Sequence, residues 1–237
     1  MPHARETHVD LAELAALAMI ARGLEPEFPR EALEQAAKLK GPARPSETEN
    51  VRDLRSLLWA SIDNDDSQDL DQLTVSEQLR AGVVRIYVAV ADVDALVRKN
   101  SPVDVHARRN TTSVYTAARI FTMLPERLCY DLTSLNAREE RLAVVVAYTV
   151  GREGTVSEPE IYRALVENKA KLTYNAVGAW LEGRADMPPQ VAAVDGLAEQ
   201  LSVQDEVAQR LCERRHERGA LVLDTVESRA VMEEGVV

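Results

Sequence analysis

One pattern constrains this 237-residue chain more than any other: long β-branched runs joined by a hairpin. Residues 82–91 (GVVRIYVAVA) are apolar over most of their length, as a strand buried on both faces is. Residues 141–150 (RLAVVVAYTV) form a second such run. Gly151 to Gly154 then reads as a tight turn into another strand over 156–166. Helical patterns lie between and after these strands. The expected class is α+β: a mixed or antiparallel sheet surrounded by helices, preceded by an N-terminal helical segment, rather than a doubly wound parallel sheet.

The helical patterns can be bounded by their caps. Asp10 precedes Leu11, Leu14, Ala15, Leu17 and Ala18, which recur at helical spacing up to a stop at Gly23. Pro29 opens a second short helix through Ala32, Leu33 and Ala36. Residues 1–45 are thus a helical prefix and linker, either a helix-turn-helix or a lid or strap on the main domain. Ser101 and Asp104 form an S-x-x-D capping box for a helix carrying Arg108 and Arg109. Further helices are expected over 173–182 and 189–215, with Gly219 as the cap of the latter. A first strand is expected over 57–62, and two more at 221–223 and 230–232. The main domain, 46–237, therefore reads as the front part of a longer unit.

Composition excludes several classes. The net charge of −11 argues against a protein that coats nucleic acid by bulk electrostatics, though not against a nucleic-acid enzyme with a local basic groove. No run is long and apolar enough to span a membrane, and the first ten residues do not resemble a signal peptide. The two cysteines, Cys129 and Cys212, lack zinc or disulfide spacing and read as reduced core thiols of a cytoplasmic protein.

The chemistry concentrates in residues 63–72 (DNDDSQDLDQ), where five carboxylates follow the apolar run 57–62. In an extended segment Asp69 and Asp71 share one side while Leu70 points into the core. Asp63 stands at the strand end, and the loop can fold it back toward them. Three converging carboxylates suit Mg²⁺, which takes oxygen ligands and serves phosphate chemistry. A calcium loop counted from Asp63 would need Gly and Glu where Gln68 and Thr74 stand, so that reading fails. A plain solvated acidic loop stays open on the residues alone.

A longer set of motifs resembles one family. The stretch from Asp53 through Trp59 and Ile62 to Asp63, Asp69 and Asp71 resembles the signature of the ribonuclease II / ribonuclease R (RNB) exoribonucleases. In order along the chain, residues 88–93 (VAVADV), Asp104 with Arg108, residues 112–115 (TSVY), 123–126 (MLPE), Ser134-Leu135 and 169–174 (KAKLTY) resemble further family motifs. The resemblance implies a Mg²⁺-dependent 3′→5′ exoribonuclease that hydrolyses single-stranded RNA processively to nucleoside 5′-monophosphates.

Carried over position by position, it implies catalytic, metal-holding roles for Asp63, Asp69 and Asp71, with Asp71 indispensable. It also implies RNA contacts by Tyr115 at the 3′ end and by Tyr174 in the base stack. Arg108, Arg109 and Arg119 can line the phosphate path. Gln72 stands where the family carries a fourth aspartate, so a neutral amide oxygen replaces a charged ligand. That departure motivates the alternative reading, an RNA-binding module of the same type with weakened or no catalysis. The partner expected is the 3′ end of single-stranded RNA, bound by a monomer once the domain is complete.

Overall fold

The computed structural model describes residues 10–46 and 48–221. Of the two strands expected near the C-terminus, all but Leu221 lies outside the described residues. The described chain divides into two compact units, one of residues 10–39 and 97–129, the other of 40–96 and 130–221.

The larger unit holds a seven-stranded mixed sheet. Its strands are β1 (Arg52–Asp53), β2 (Ala60–Asp63), β3 (Gln72–Gln78), β4 (Val84–Ala91), β7 (Glu140–Val150), β8 (Val156–Glu167) and β9 (Ala170–Thr173). Their order is β1-β8-β7-β4-β3-β2-β9. The central pairs are antiparallel, while β1 on β8 and β9 on β2 are parallel. The expected α+β class and mixed sheet are therefore what the chain forms.

Alternation divides the sheet into two faces. Leu73 and Val75 of β3 join Trp59, Ala89, Val145 and Val166 in one buried cluster. On the other side lie α4 (Tyr174–Leu181), α5 (Pro189–Ala192) and α6 (Leu197–Glu217). There Val203 and Val207 of α6 meet Val84, Ile86 and Val150, while Leu197 and Leu201 meet Ala60 and Leu172. Buried Gln200 of α6 donates to Leu58 O at 2.7 Å, and Ser76 of β3 donates to Gln200 O at 3.3 Å.

Several boundaries differ from expectation for physical reasons. The strand expected from residue 57 begins at Ala60, because Leu54 to Trp59 turn on themselves: Leu57 N donates to Leu54 O, and so does the Trp59 indole (2.8 Å). Strands β3 and β9 were not expected. In β3 the apolar positions are Leu73 and Val75 alone, between polar neighbours. The single helix expected over 189–215 is two, α5 and α6, parted at Gly196, whose φ of +78° ends helical continuation. Cys212 is exposed on α6 rather than in a core, whereas Cys129 is half-buried; both are free thiols.

The smaller unit contains α1 (Leu11–Ala21), α2 (Arg30–Ala37), α3 (Pro102–Asn110) and a two-stranded hairpin, β5 (Val114–Tyr115) with β6 (Ile120–Phe121). Asp10 caps α1 through Ala12 N and Glu13 N. Ser101 caps α3 by accepting from Asp104 N. Here the prefix packs on α3 as part of the same unit. Asn110 accepts from Glu25 N and donates to Glu25 O, both at 2.8 Å. Gln35 accepts from Val103 N (3.1 Å) and donates to Ser101 (3.0 Å). Phe28 lies 4.4 Å, ring to ring, from buried His106.

Candidate active site

The acidic segment is the connection from β2 to β3. Its ends are fixed by the sheet, since Asp63 pairs in register with Thr173 of β9, and Gln72 with Val90 of β4. Ala91 N donates to Asp71 O at 2.9 Å, extending the β3–β4 ladder one residue into the cluster. Leu70 is buried between Asp69 and exposed Asp71, as its alternation required.

Side chains from elsewhere in the larger unit hold the middle of the loop. Buried Ser134 accepts from Leu70 N and donates to Asn136 Oδ1, each at 3.0 Å. Leu135 N donates to Leu70 O at 2.8 Å. Asn168, 1% exposed, donates to Leu135 O (2.8 Å) and Ser61 Oγ (3.1 Å) and accepts from Ala170 N (3.1 Å). It thereby ties β2, the 134–136 segment and β9 into one frame. Lys171 of β9 donates to Ser67 O at 2.5 Å, and Asn175 of α4 donates to Asp65 Oδ2 at 2.7 Å. Ser67 Oγ donates to Asp63 Oδ1 at 2.8 Å.

The electrostatics follow from this folding. Although Asp71 as a residue is exposed, the protein packed around its carboxyl partly desolvates it and lifts it above the ordinary carboxylate range, and the negative charges of Asp69 and then Asp63 push it further the same way. Of the three carboxylates expected to act together, Asp69 and Asp63 thus both act on the charge of Asp71. Among the described residues, no three His, Cys, Asp or Glu side chains stand as a ready-formed metal-ligating group. Carboxylate oxygens are donors of the kind a hard divalent cation takes, but these three do not close on a common point. Gln72 opens β3 with an exposed side chain at the edge of the same cluster. Tyr174 follows Thr173 directly, so its half-exposed ring stands at the same end of the sheet.

The other expected contact residues belong to the smaller unit. Tyr115 is 65% exposed on β5. Each arginine faces a carboxylate: Arg108 pairs with Asp104 one helical turn away, Arg109 with Glu25 (3.1 Å), and Arg119 with Glu27 (2.6 Å). The supporting residues Lys171, Asn175, Ser134 and Asn168 do not stand out in the sequence as site residues. Ser134 and Lys171 lie inside family-like motifs, whereas Asn168 and Asn175 carry no signal of their own.

Sheet, acidic loop and flanking motifs together define an RNB domain, and the chain belongs to that family: the family profile matches residues 51–237. Particular relatives are ribonuclease R of Escherichia coli, 35% identical over 205 residues (86% of this chain, 25% of the relative), and exoribonuclease 2 of Escherichia fergusonii, 32% identical over 184 residues (77% and 28%). The chain thus spans about a quarter of the length of these relatives. Mycoplasma genitalium ribonuclease R in complex with double-stranded RNA superposes with a TM-score of 0.84 at 25% identity, covering 95% of this chain and 40% of that one.

Proposed function

We propose that this chain carries the metal-binding part of a Mg²⁺-dependent 3′→5′ exoribonuclease that degrades single-stranded RNA processively to nucleoside 5′-monophosphates. The observation that carries this reading is the acidic trio Asp63, Asp69 and Asp71, held at one sheet end in a chain whose relatives are named as ribonucleases. When bound, Mg²⁺ supplies an activated water for in-line attack on phosphorus and stabilises the departing 3′-oxygen. Asp63, Asp69 and Asp71 would hold the cation, and the Gln72 amide oxygen would add a neutral donor. Lys171, Asn175 and Ser134 position the loop that bears them. The Tyr174 ring supplies a stacking face for a base, which tolerates any sequence. Tyr115, Arg108, Arg109 and Arg119 supply a second RNA-contacting set.

Among the described residues no helix is long and apolar enough to cross a membrane. The free thiols of Cys129 and Cys212 suit a reducing compartment, so we place the protein in the cytoplasm; a monomer is expected once the domain is complete. Gln72 favours one other reading, an RNA-binding module with weakened turnover. The two separate on 5′-labelled single-stranded RNA with Mg²⁺. A processive exoribonuclease of this polarity moves the label from intact RNA directly to a short end fragment, with few intermediates between. Intact RNA retained in complex would establish the binding module, and immediate release of labelled mononucleotide would refute the polarity.

A further inference from the structure

Two of the three arginines in the smaller unit are covered by one short segment of the prefix. Residues 25–29 (EPEFP) set Glu25 against Arg109, at 3.1 Å, and Glu27 against Arg119, through two hydrogen bonds of 2.6 and 3.2 Å. The segment's backbone is fixed independently of these carboxylates, because Asn110 grips the N–H and C=O of Glu25, both at 2.8 Å. Phe28 against His106 adds a second anchor. Arg119 is preorganised with its guanidinium 4.5 Å from the Phe121 ring centroid. The carboxylates themselves stay accessible, since all four paired side chains are more than two-fifths exposed. A carboxylate offers guanidinium the same charge and forked geometry as a phosphate, and exposed pairs of this kind exchange at small cost. Arg108 differs, being paired with Asp104 of its own helix and with Asn100.

We infer that Glu25 and Glu27 form an autoinhibitory strap, occupying on Arg109 and Arg119 the places of two RNA phosphates, so that RNA must displace them to bind. This rests on the RNA-binding reading above and deepens it. The strap's anchored backbone keeps the competing carboxylates at hand after displacement, which weakens binding without abolishing it.

The test is binding of a 5′-labelled single-stranded oligonucleotide in EDTA, where no turnover intervenes, read by fluorescence anisotropy across a salt series. The double variant Glu25→Gln with Glu27→Gln leaves the Asn110 hydrogen bonds intact. It is expected to bind roughly 2- to 30-fold tighter than wild type, the range two exposed ion pairs span. Because RNA displaces the strap in both proteins, the same phosphates are neutralised in both complexes, so the slopes of log K against log salt should differ by less than about 0.7, the change that one phosphate contact makes. The control, Glu31→Gln with Glu34→Gln, changes net charge equally on α2 without uncovering either arginine, and is expected to bind less than twofold tighter with an unchanged slope. Wild-type binding that the strap variant does not improve, or an equal improvement in the control, overturns the strap alone. Absence of RNA binding by both wild type and strap variant overturns the RNA-binding reading with it.

Discussion

Replacing Asn168 by Ala is the perturbation that most directly probes how the acidic loop is held. The side chain is 1% exposed and makes three hydrogen bonds, to Leu135 O, Ser61 Oγ and Ala170 N. Removing it leaves the Ala170 N–H with no acceptor in a buried setting, at a cost of about 1–3 kcal/mol. The Leu135 carbonyl loses a donor, for about another 1 kcal/mol, while the Ser61 hydroxyl can rotate and recovers most of its loss. The sum is roughly 2–4 kcal/mol, a large part of the roughly 5–15 kcal/mol that holds a typical domain. Equilibrium urea unfolding of wild type and variant, followed by the fluorescence of Trp59 and Trp180, measures it. The variant's midpoint should fall with little change in slope. A destabilisation below about 0.5 kcal/mol would show that the 134–136 segment and the sheet edge are joined by something other than Asn168.

Three further outcomes follow from particular contacts. Gly154 has a φ of +67° and its added Cβ would stand 2.5 Å from Arg210 O, whereas Gly183, at +70°, faces open space. Gly154→Ala should therefore cost at least about 2 kcal/mol more than Gly183→Ala in thermal unfolding, and equal costs would contradict the packing of α6 on this turn. His106 is buried, and burial lowers its pKa from 6.5 despite the nearby Glu25 carboxylate. The folded state therefore binds this proton less readily than the unfolded state. This contribution is fully present above about pH 6.5, the unfolded value, and is lost as pH falls from there through the lower folded pKa. His106→Gln should reduce the wild-type loss in Tm between about pH 7.5 and 5.5, and an unchanged loss would assign it to carboxylates instead. Gln72→Asp should tighten Mg²⁺ binding on the order of tenfold by calorimetry, since ligand charge sets such affinities; an unaltered isotherm would remove Gln72 from the site.

What could be read from the chain tracks how local the determining forces are. Strands β4, β7 and β8 and the caps Asp10 and Ser101 were legible because apolar runs and cap residues act within a few positions. Strand β3 was not, because its stability comes from neighbours on both sides rather than from Leu73 and Val75 alone. The acidic trio was legible as chemistry, but its support was not. Asn168 and Asn175 act on residues about a hundred positions away, and nothing near them in the chain marks that role. The arginines were legible as cations, while the carboxylates that occupy Arg109 and Arg119 come from the prefix, about ninety residues earlier.

Metal-dependent RNA hydrolysis is the role proposed for the Asp63–Asp69–Asp71 cluster. Its most direct test is chromatographic measurement of nucleoside 5′-monophosphates released from single-stranded RNA in Mg²⁺ by wild type and by Asp71→Asn, with RNA binding in EDTA measured alongside. Wild type should release monophosphates, the variant should lose at least about 10²-fold of that release, and the two should bind RNA equally. Equal release by both proteins would contradict that role.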